Sequence, residues 1–490
     1  GLTPHNILQL RSFSAIIGGG VGGAAAAYFL QELTGGNALI DVYESGYVGG
    51  RLATTDLGGS YYEMGGSVIH PSNAYMGDFI KTLGLEKRME CPSLAGLFDG
   101  SSFVFRDSSW QVVTLAKLFW RYGWSIYTLR AANQQMLDQF NRIYKLQKKG
   151  QAFTNGEQLL EAMSPSFPAM LHMSTREHLL QLGISQAIID EVVMAVTLAN
   201  YGQTPDVHAF VGAISVAAAS PDLWSVKGGN KQVPELLLGK ARASLLRRHV
   251  TDVTVISRSL PLSLFQVDSV EATEASDSLQ REGRNDIYSS AHVQADVRSQ
   301  PYDAVIVAAP LTHDKTDIKF HNVTHNYNFP GRYERIVATL VRGKLRKETF
   351  GLSKDDSLDE IFPVNPDLFY NAVGLLKDVN VEKCSDAHMP DVFKVFSPAH
   401  VTEEQLNLLF DEIYESKVFD WRAFPHYNIS EPHFTEFELE PGLYYLNAIE
   451  WLGSAMEMSA IAAKNVALLA FKHLTHDSSA GSLVETKDEL

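Results

Sequence analysis

The chain has 490 residues and weighs 54.2 kDa, more than one hydrophobic core ordinarily organises, so two or three domains are expected. Its 41 basic and 57 acidic residues give a formal charge of −16, which excludes the basic face that a nucleic-acid binder needs. The two cysteines, Cys91 and Cys384, are too few for a disulfide-scaffold fold, a four-thiolate zinc site or an all-cysteine iron–sulfur cluster, and no metal site is expected. Hard chemistry must come from another cofactor or from ordinary side chains.

The chain opens at Gly1 without a charged-then-apolar leader, as expected after trimming or after removal of a signal peptide. Ala15-Ile16-Ile17 reads as a short buried strand, Gly18 to Gly23 as a turn, Ala24 to Leu33 as a helix and Leu39 to Tyr43 as a second strand. That is a βαβ unit, which implies a parallel sheet with a right-handed crossover. Gly18, Gly20 and Gly23 have the G-x-G-x-x-G spacing of a dinucleotide turn. The first permits the tight turn, the second admits a pyrophosphate to the backbone, and the third lets helix and strand pack closely. Phosphate would then sit on the helix N-terminus. Glu44 follows Gly23 by 21 residues and ends the second strand, where a carboxylate accepts from ribose hydroxyls and disfavours a 2′-phosphate.

A second glycine-rich stretch follows, with Gly49-Gly50-Arg51, Gly58-Gly59 and Gly65-Gly66-Ser67. It makes backbone room for a longer ligand, with the Arg51 cation near its phosphates. His70, ahead of Pro71, is either a residue that orients water near a cofactor or a satisfied structural histidine. Trp110 to Trp124, Gln134 to Tyr144 and Leu179 to Leu198 read as aromatic and Leu/Met-rich helices. Trp110, Phe119, Trp120, Tyr122 and Trp124 either wall an apolar slot or pack as ordinary helix core. Asn200, Tyr201 and Gln203 offer hydrogen bonds to a polar substrate end. Lys231, after Gly228-Gly229-Asn230, is a cation near a cofactor, a phosphate contact or simply solvated.

Sheet-type sequence returns at Val250 to Ile256 and Ala304 to Ala308. The polar, acidic stretch Asp268 to Asp296 between them reads as a surface excursion beside a hairpin. Asn322 and Asn428 stand in glycosylation triplets. A last strand, Leu443 to Ala448, leads through Gly453 to a helix over Ser454–Phe471, whose Ser454 and Glu457 have capping-box spacing. Glu457 either reaches a cofactor or a substrate ammonium, or serves only that cap. From His476 a polar tail runs to Lys487-Asp488-Glu489-Leu490, a retrieval signal for the endoplasmic reticulum lumen. In that compartment Cys91 and Cys384 either bridge or remain thiols. The longest weakly polar stretch, Ala15 to Leu30, is shorter than the ~20 residues a membrane span needs.

Taken together these elements predict an α/β chain with a Rossmann-type dinucleotide domain over 13–75, 225–312 and 435–475. A second, α+β substrate domain is expected from 76–224 and 313–434, with an exposed tail over 476–490.

The Glu44…Gly49-Gly50-Arg51 pattern resembles FAD-binding proteins of the amine-oxidase superfamily. Such proteins also carry a strand touching adenine, a strand ending in an alanine-proline step and a C-terminal strand–helix that reaches the isoalloxazine. The matching places are Val250, Ala308-Ala309-Pro310, and Asn447 through Met456 and Glu457. Longer stretches are similar to the prenylcysteine oxidase family (farnesylcysteine lyase in plants), including its oxidase-like paralogues. Among them are Val48–Thr54, Gly65–Pro71, Trp120–Gly123, Asn200–Gln203, Ala209–Ala213, Leu223–Val226 and Leu443–Asn447. The likeness runs from about residue 14 to 472, except 268–300 and the stretch around 345–400. It implies FAD and oxidation of an S-prenyl-L-cysteine, and since no histidine or cysteine occupies an obvious attachment position, the FAD is expected to be non-covalent. Hydride leaves the isoprenoid carbon bonded to sulfur, water adds, and collapse yields cysteine and a prenyl aldehyde. Dioxygen is the final acceptor and becomes hydrogen peroxide. A monomer is expected, and without a span any membrane or lipoprotein contact is peripheral; the resemblance implies a lysosomal or secreted placement that competes with the retrieval signal.

Overall fold

The computed structural model describes residues 12–220, 222–258, 263–272, 296–381 and 391–475. Strand β1 (Phe13–Ile17) enters the glycine turn, helix α1 (Val21–Leu33) follows, and β2 (Leu39–Tyr43) pairs parallel to β1. β1 is the centre of a six-stranded sheet. On its other side Ala304–Val307 pairs parallel, then Leu443–Tyr445, then the antiparallel edge strand Glu438–Glu440. Ser244–Leu246 extends the β2 side, also parallel. Ala304–Val307 is wholly apolar and buried, as a strand covered on both faces requires.

Helix α1 is short-sided where it is buried. Ala24 to Ala27 are fully enclosed, and these small side chains let α1 pack along the C-terminal helix Met456–Thr475. Three other strands join Arg248–Ser257 in a four-stranded sheet, including Leu264–Glu271. Asp268 to Glu271 are therefore strand, where an excursion was expected, because apolar residues alternate inward through Phe265 and Val267. The remainder of that polar stretch, 273–295, lies outside the described residues.

The inserted segments build a seven-stranded sheet from Ala95–Phe98 and Phe103–Arg106 together with five strands between Tyr333 and Pro425. Its longest pair, Tyr333–Leu345 with Phe410–Pro425, is antiparallel. Helices α2 (Ala74–Leu83), α3 (Gln111–Tyr122) and α4 (Ser125–Phe140) precede a run of short helices. The expected helix over Leu179–Leu198 is broken into Thr175–Gln181, Gln186–Ile188, a π-turn and Met194–Tyr201, with Gly183 at φ 77° in the break. At the C-terminus the strand stops at Tyr445, a 3₁₀ turn covers Leu446–Trp451, and the helix starts at Met456 instead of Ser454.

Buried polar groups tie the inserted helices to that turn. His208 caps the helix Ala209–Ala217, its Nδ1 accepting from Val211 N at 3.2 Å, and its Nε2–H donates to Trp451 O at 3.0 Å. Burial pushes its pKa down to about 3, against the opposing pull of the Trp451 carbonyl. A histidine depressed below its ordinary 6.5 contributes stability above that pH, and the contribution is lost as pH falls towards 3. At pH 5 the loss is about 2 kcal/mol. Replacement His208→Asn should therefore lower stability at pH 7 yet flatten the decline between pH 7 and pH 5, read by denaturant unfolding at both. An unchanged acid slope would contradict this assignment.

Candidate dinucleotide site

Two of the three glycines of the first turn are required by close contacts, and the third by none. Gly18 has φ 113°, and a Cβ there would lie 2.5 Å from Ala308 O. A Cβ on Gly23 would lie 1.9 Å from Gly18 O, so helix and strand approach at backbone distance. Gly20 differs, since a Cβ there meets nothing nearer than Gly49 O at 3.9 Å. It is the position with space in front of it. Gly20 is also the N-cap of α1 and has no side chain to satisfy the first amides, so those donors face the opening.

Glu44 sits at the end of β2 with its carboxylate turned to this mouth. Oε2 accepts from Gly19 N at 2.8 Å and Oε1 from Gly46 N at 2.7 Å. Burial raises its pKa, while the two amides work the other way. The arrangement fixes the carboxylate beside the turn and leaves further lone pairs for ribose hydroxyls. Gly49 (φ 115°) donates its amide to Gly19 O at 3.0 Å, and Gly50 (φ 57°) continues the turn. An open pocket of about 370 Å³ lies at the edge strand whose Leu246 carbonyl accepts from Glu44 N; Arg247, Arg248 and Arg298 line it. Val250 is buried two residues beyond Arg248 in the same sheet, and Ala308 abuts both Gly18 and Gly23.

The second glycine segment is held from the Gly-Gly-Asn turn. Asn230 Nδ2 donates to Gly66 O and Ser67 O, both at 2.9 Å, and its amide donates to Glu63 Oε1 at 2.6 Å. A Cβ on Gly65 would lie 1.9 Å from Arg51 O, and one on Gly66 would lie 3.8 Å from Met456. The segment thus bridges Arg51 and the start of the C-terminal helix. Burial pushes the Glu63 carboxyl up to about 7 and the nearby Lys394 ammonium down to about 8. Lys394 Nζ donates to the Glu63 carbonyl at 3.2 Å.

Arg51 departs from the expected phosphate cation. Its guanidinium donates to Ala423 O at 2.6 Å and pairs with Glu450, a fully buried carboxylate that also accepts from Tyr333 Oη at 2.6 Å. Burial opposes the Arg51 charge, but Glu450 outweighs it and holds the pKa above its ordinary value. Asn447 Nδ2 donates to the same carboxylate at 2.8 Å, and Asn447 Oδ1 is buried with no partner among the described residues. Lys231 lies on the other side, its Cβ 3.8 Å from a Cβ built on Gly49. It adjoins the Gly49 turn. Sequence reasoning missed Glu450 and Tyr333 because their partners are 399 and 117 residues away.

Several nominated groups are spent on the fold. Glu457 Oε1 accepts from Tyr75 N and Tyr144 Oη, and Oε2 from Met76 N. It therefore caps α2 across the interface and makes no capping box with Ser454. Burial pushes its pKa up to about 7. Tyr201 Oη donates to Ser454 O, Gln203 bonds Pro425 O and Tyr427 N, and Asn200 Nδ2 bonds Ser215. His70 Nδ1 accepts from Ser72 N at 3.1 Å, and burial lowers its pKa. Trp120 is 93% exposed and walls no slot; Trp110 and Trp124 are exposed as well, so the helix-core reading of these tryptophans also fails. Asn322 is exposed and Asn428 half-buried. Cys91 is disulfide-bonded, whereas Cys384 and the 476–490 tail lie outside the described residues.

Comparison with known proteins matches residues 105–481 to the prenylcysteine lyase family and residues 16–83 to the NAD(P)-binding Rossmann-like domain. Prenylcysteine oxidase 1 of Bos taurus is 36% identical over 471 residues, covering 93% of this chain and 88% of that protein. Human prenylcysteine oxidase 1-like is 36% identical over 474 residues, covering 94% and 91%. Among solved structures, cyclohexylamine oxidase from Brevibacterium oxydans superposes with a TM-score of 0.57 at 16% identity, covering 95% of this chain and all of that one. A fatty acid isomerase from P. acnes gives 0.58 at 14%, covering 93% and 97%. Those two share the fold, and the family follows from the sequence matches: this chain belongs to the prenylcysteine oxidase (prenylcysteine lyase) family.

Proposed function

We propose that the chain is an FAD-dependent thioether oxidase acting on S-prenyl-L-cysteine, farnesyl or geranylgeranyl. The observation that carries this is the space kept open at Gly20, between the α1 amides and the Gly49 turn, in a chain related to prenylcysteine oxidases over nearly its whole length. The overall reaction would convert thioether, water and dioxygen to prenyl aldehyde, free cysteine and hydrogen peroxide. Bound FAD supplies the two-electron acceptor that no side chain offers.

The residues present fit that group. The α1 amides and the Gly49–Gly50 turn would take the pyrophosphate, Glu44 the ribose, and Lys231 the phosphate charge that Arg51 cannot meet while paired with Glu450. Asn447 Oδ1, buried and without a partner, would accept from a donor on the ring end. No attachment bond is proposed. The one cysteine among the described residues is already disulfide-bonded, and His70 Nδ1 is committed to the turn into α2. That disulfide also supports an oxidising compartment, the secretory pathway, for the activity.

Two substitutions separate the roles of the glycines. Gly20→Val should fold with a near-native melting temperature yet lose flavin by more than tenfold in affinity, because its Cβ meets no protein atom nearer than 3.9 Å while its branches enter the opening. Gly23→Ala should instead destabilise the fold by about 3 kcal/mol, since its methyl group would overlap Gly18 O. Equal flavin content in wild type and Gly20→Val, read from visible absorbance after desalting, would remove the FAD assignment. For the reaction itself, purified flavoprotein with farnesylcysteine in air should release peroxide and farnesal in equal amounts. Neither product, with flavin bound, would exclude this substrate while leaving the cofactor intact.

A further inference from the structure

The outward face of α3 is apolar, the reverse of the usual pattern for a surface helix. Val112, Val113, Leu115, Phe119 and Trp120 are all exposed, while Leu118 and Tyr122 on the opposite face pack on Leu179, Ile184 and Ile188. Trp110 before the helix and Trp124 after it are each 75% exposed. Phe119, Trp124 and Tyr127 touch ring to ring at centroid distances of 5.5–6.4 Å, so the patch continues onto α4. Contiguous exposed aromatic surface of this kind marks an interaction site.

Charge selects the occupant. In a chain with 57 acidic residues, residues 108–137 contain no Asp or Glu, but they contain Lys117, Arg121 and Arg130, all exposed. Tryptophan and tyrosine with a basic fringe is the composition of a helix lying in a lipid headgroup layer. No helix among the described residues is long and apolar enough to cross a membrane, so contact would be in the surface plane. Arg121 also pairs with Glu191 on the helical run beneath, through Nε at 2.6 Å, which braces α3 against the body.

We infer that the α3–α4 face is a membrane-docking surface that inserts its aromatic side chains into phospholipid bilayers and favours those carrying anionic lipid. It deepens the proposed activity, because a prenylated substrate partitions into bilayers, but binding is testable without turnover. The probe is a set of vesicles, of phosphatidylcholine alone and mixed with phosphatidylserine, read by co-flotation and tryptophan emission in the absence of substrate. Wild type should float with the mixed vesicles, shift its emission to the blue and bind less to phosphatidylcholine alone. The variant W110S/W120S/W124S should lose about tenfold or more in partitioning, with flavin content and melting temperature unchanged. K117E should weaken binding to the mixed vesicles only.

Equal binding by wild type and the triple variant would overturn the proposal. So would wild type that stays unbound, or one that forms a dimer abolished by the triple substitution, since a second copy would then cover the face. Loss of peroxide production with vesicle binding intact would count against the proposed activity alone.

Discussion

One contact distance governs the architecture: Gly18 O lies where any side chain on Gly23 would have to be. Because that pair is bare, the first turn of α1 rests directly on the end of β1, and Ala308 closes the other side at Gly18. The helix N-terminus is therefore aimed out of the crevice between β1 and Ala304–Val307, where parallel α/β sheets bind ligands. The poly-alanine face of α1 continues the same logic, letting the C-terminal helix come close enough for Met456 to reach Gly66. A bulkier residue anywhere along that line would separate the two ends of the site.

Legibility in the sequence follows the range of the forces. The glycine turn, Glu44 and the βαβ unit were readable because their constraints act within about thirty residues, through sterics and alternation. Arg51 was readable as a cation but not as half of a pair, since Glu450 is brought to it only by the parallel sheet. Glu457 had the spacing of a local cap, yet the amides of Tyr75 and Met76 compete for the same carboxylate and win in the folded chain. For α3, composition showed an aromatic helix and said nothing of which side faces water, so of the five aromatics offered as slot wall or core only Tyr122 is buried. Trp120 lies on a helix whose buried side is already filled by Tyr122 and the residues beneath it.

The turn Leu446–Trp451 shows why the nominated polar residues are occupied. It is buried 3₁₀ backbone, whose free carbonyls cannot meet water and must find donors. Tyr427 Oη takes Glu450 O at 2.9 Å, His208 takes Trp451 O, and Tyr201 takes Ser454 O at 3.0 Å. All three donors come from the inserted segments. The segment that carries Asn447 and Met456 is thus positioned by side chains of the other part of the molecule. Tyr201 holds that backbone directly, and Gln203 does so at one remove, through Pro425 O and the amide of Tyr427.

The overall charge of −16 opposes approach to an anionic surface, and the apolar face must act within that field. Screening limits the opposition. At physiological ionic strength the Debye length is about 8 Å, so charges on the far side of a molecule this size contribute little at the contact. What remains is local: Lys117, Arg121 and Arg130 around exposed tryptophan, with Glu191 set behind Arg121. A net charge that excluded nucleic acid from the sequence alone is thereby compatible with a lipid surface met through this local fringe.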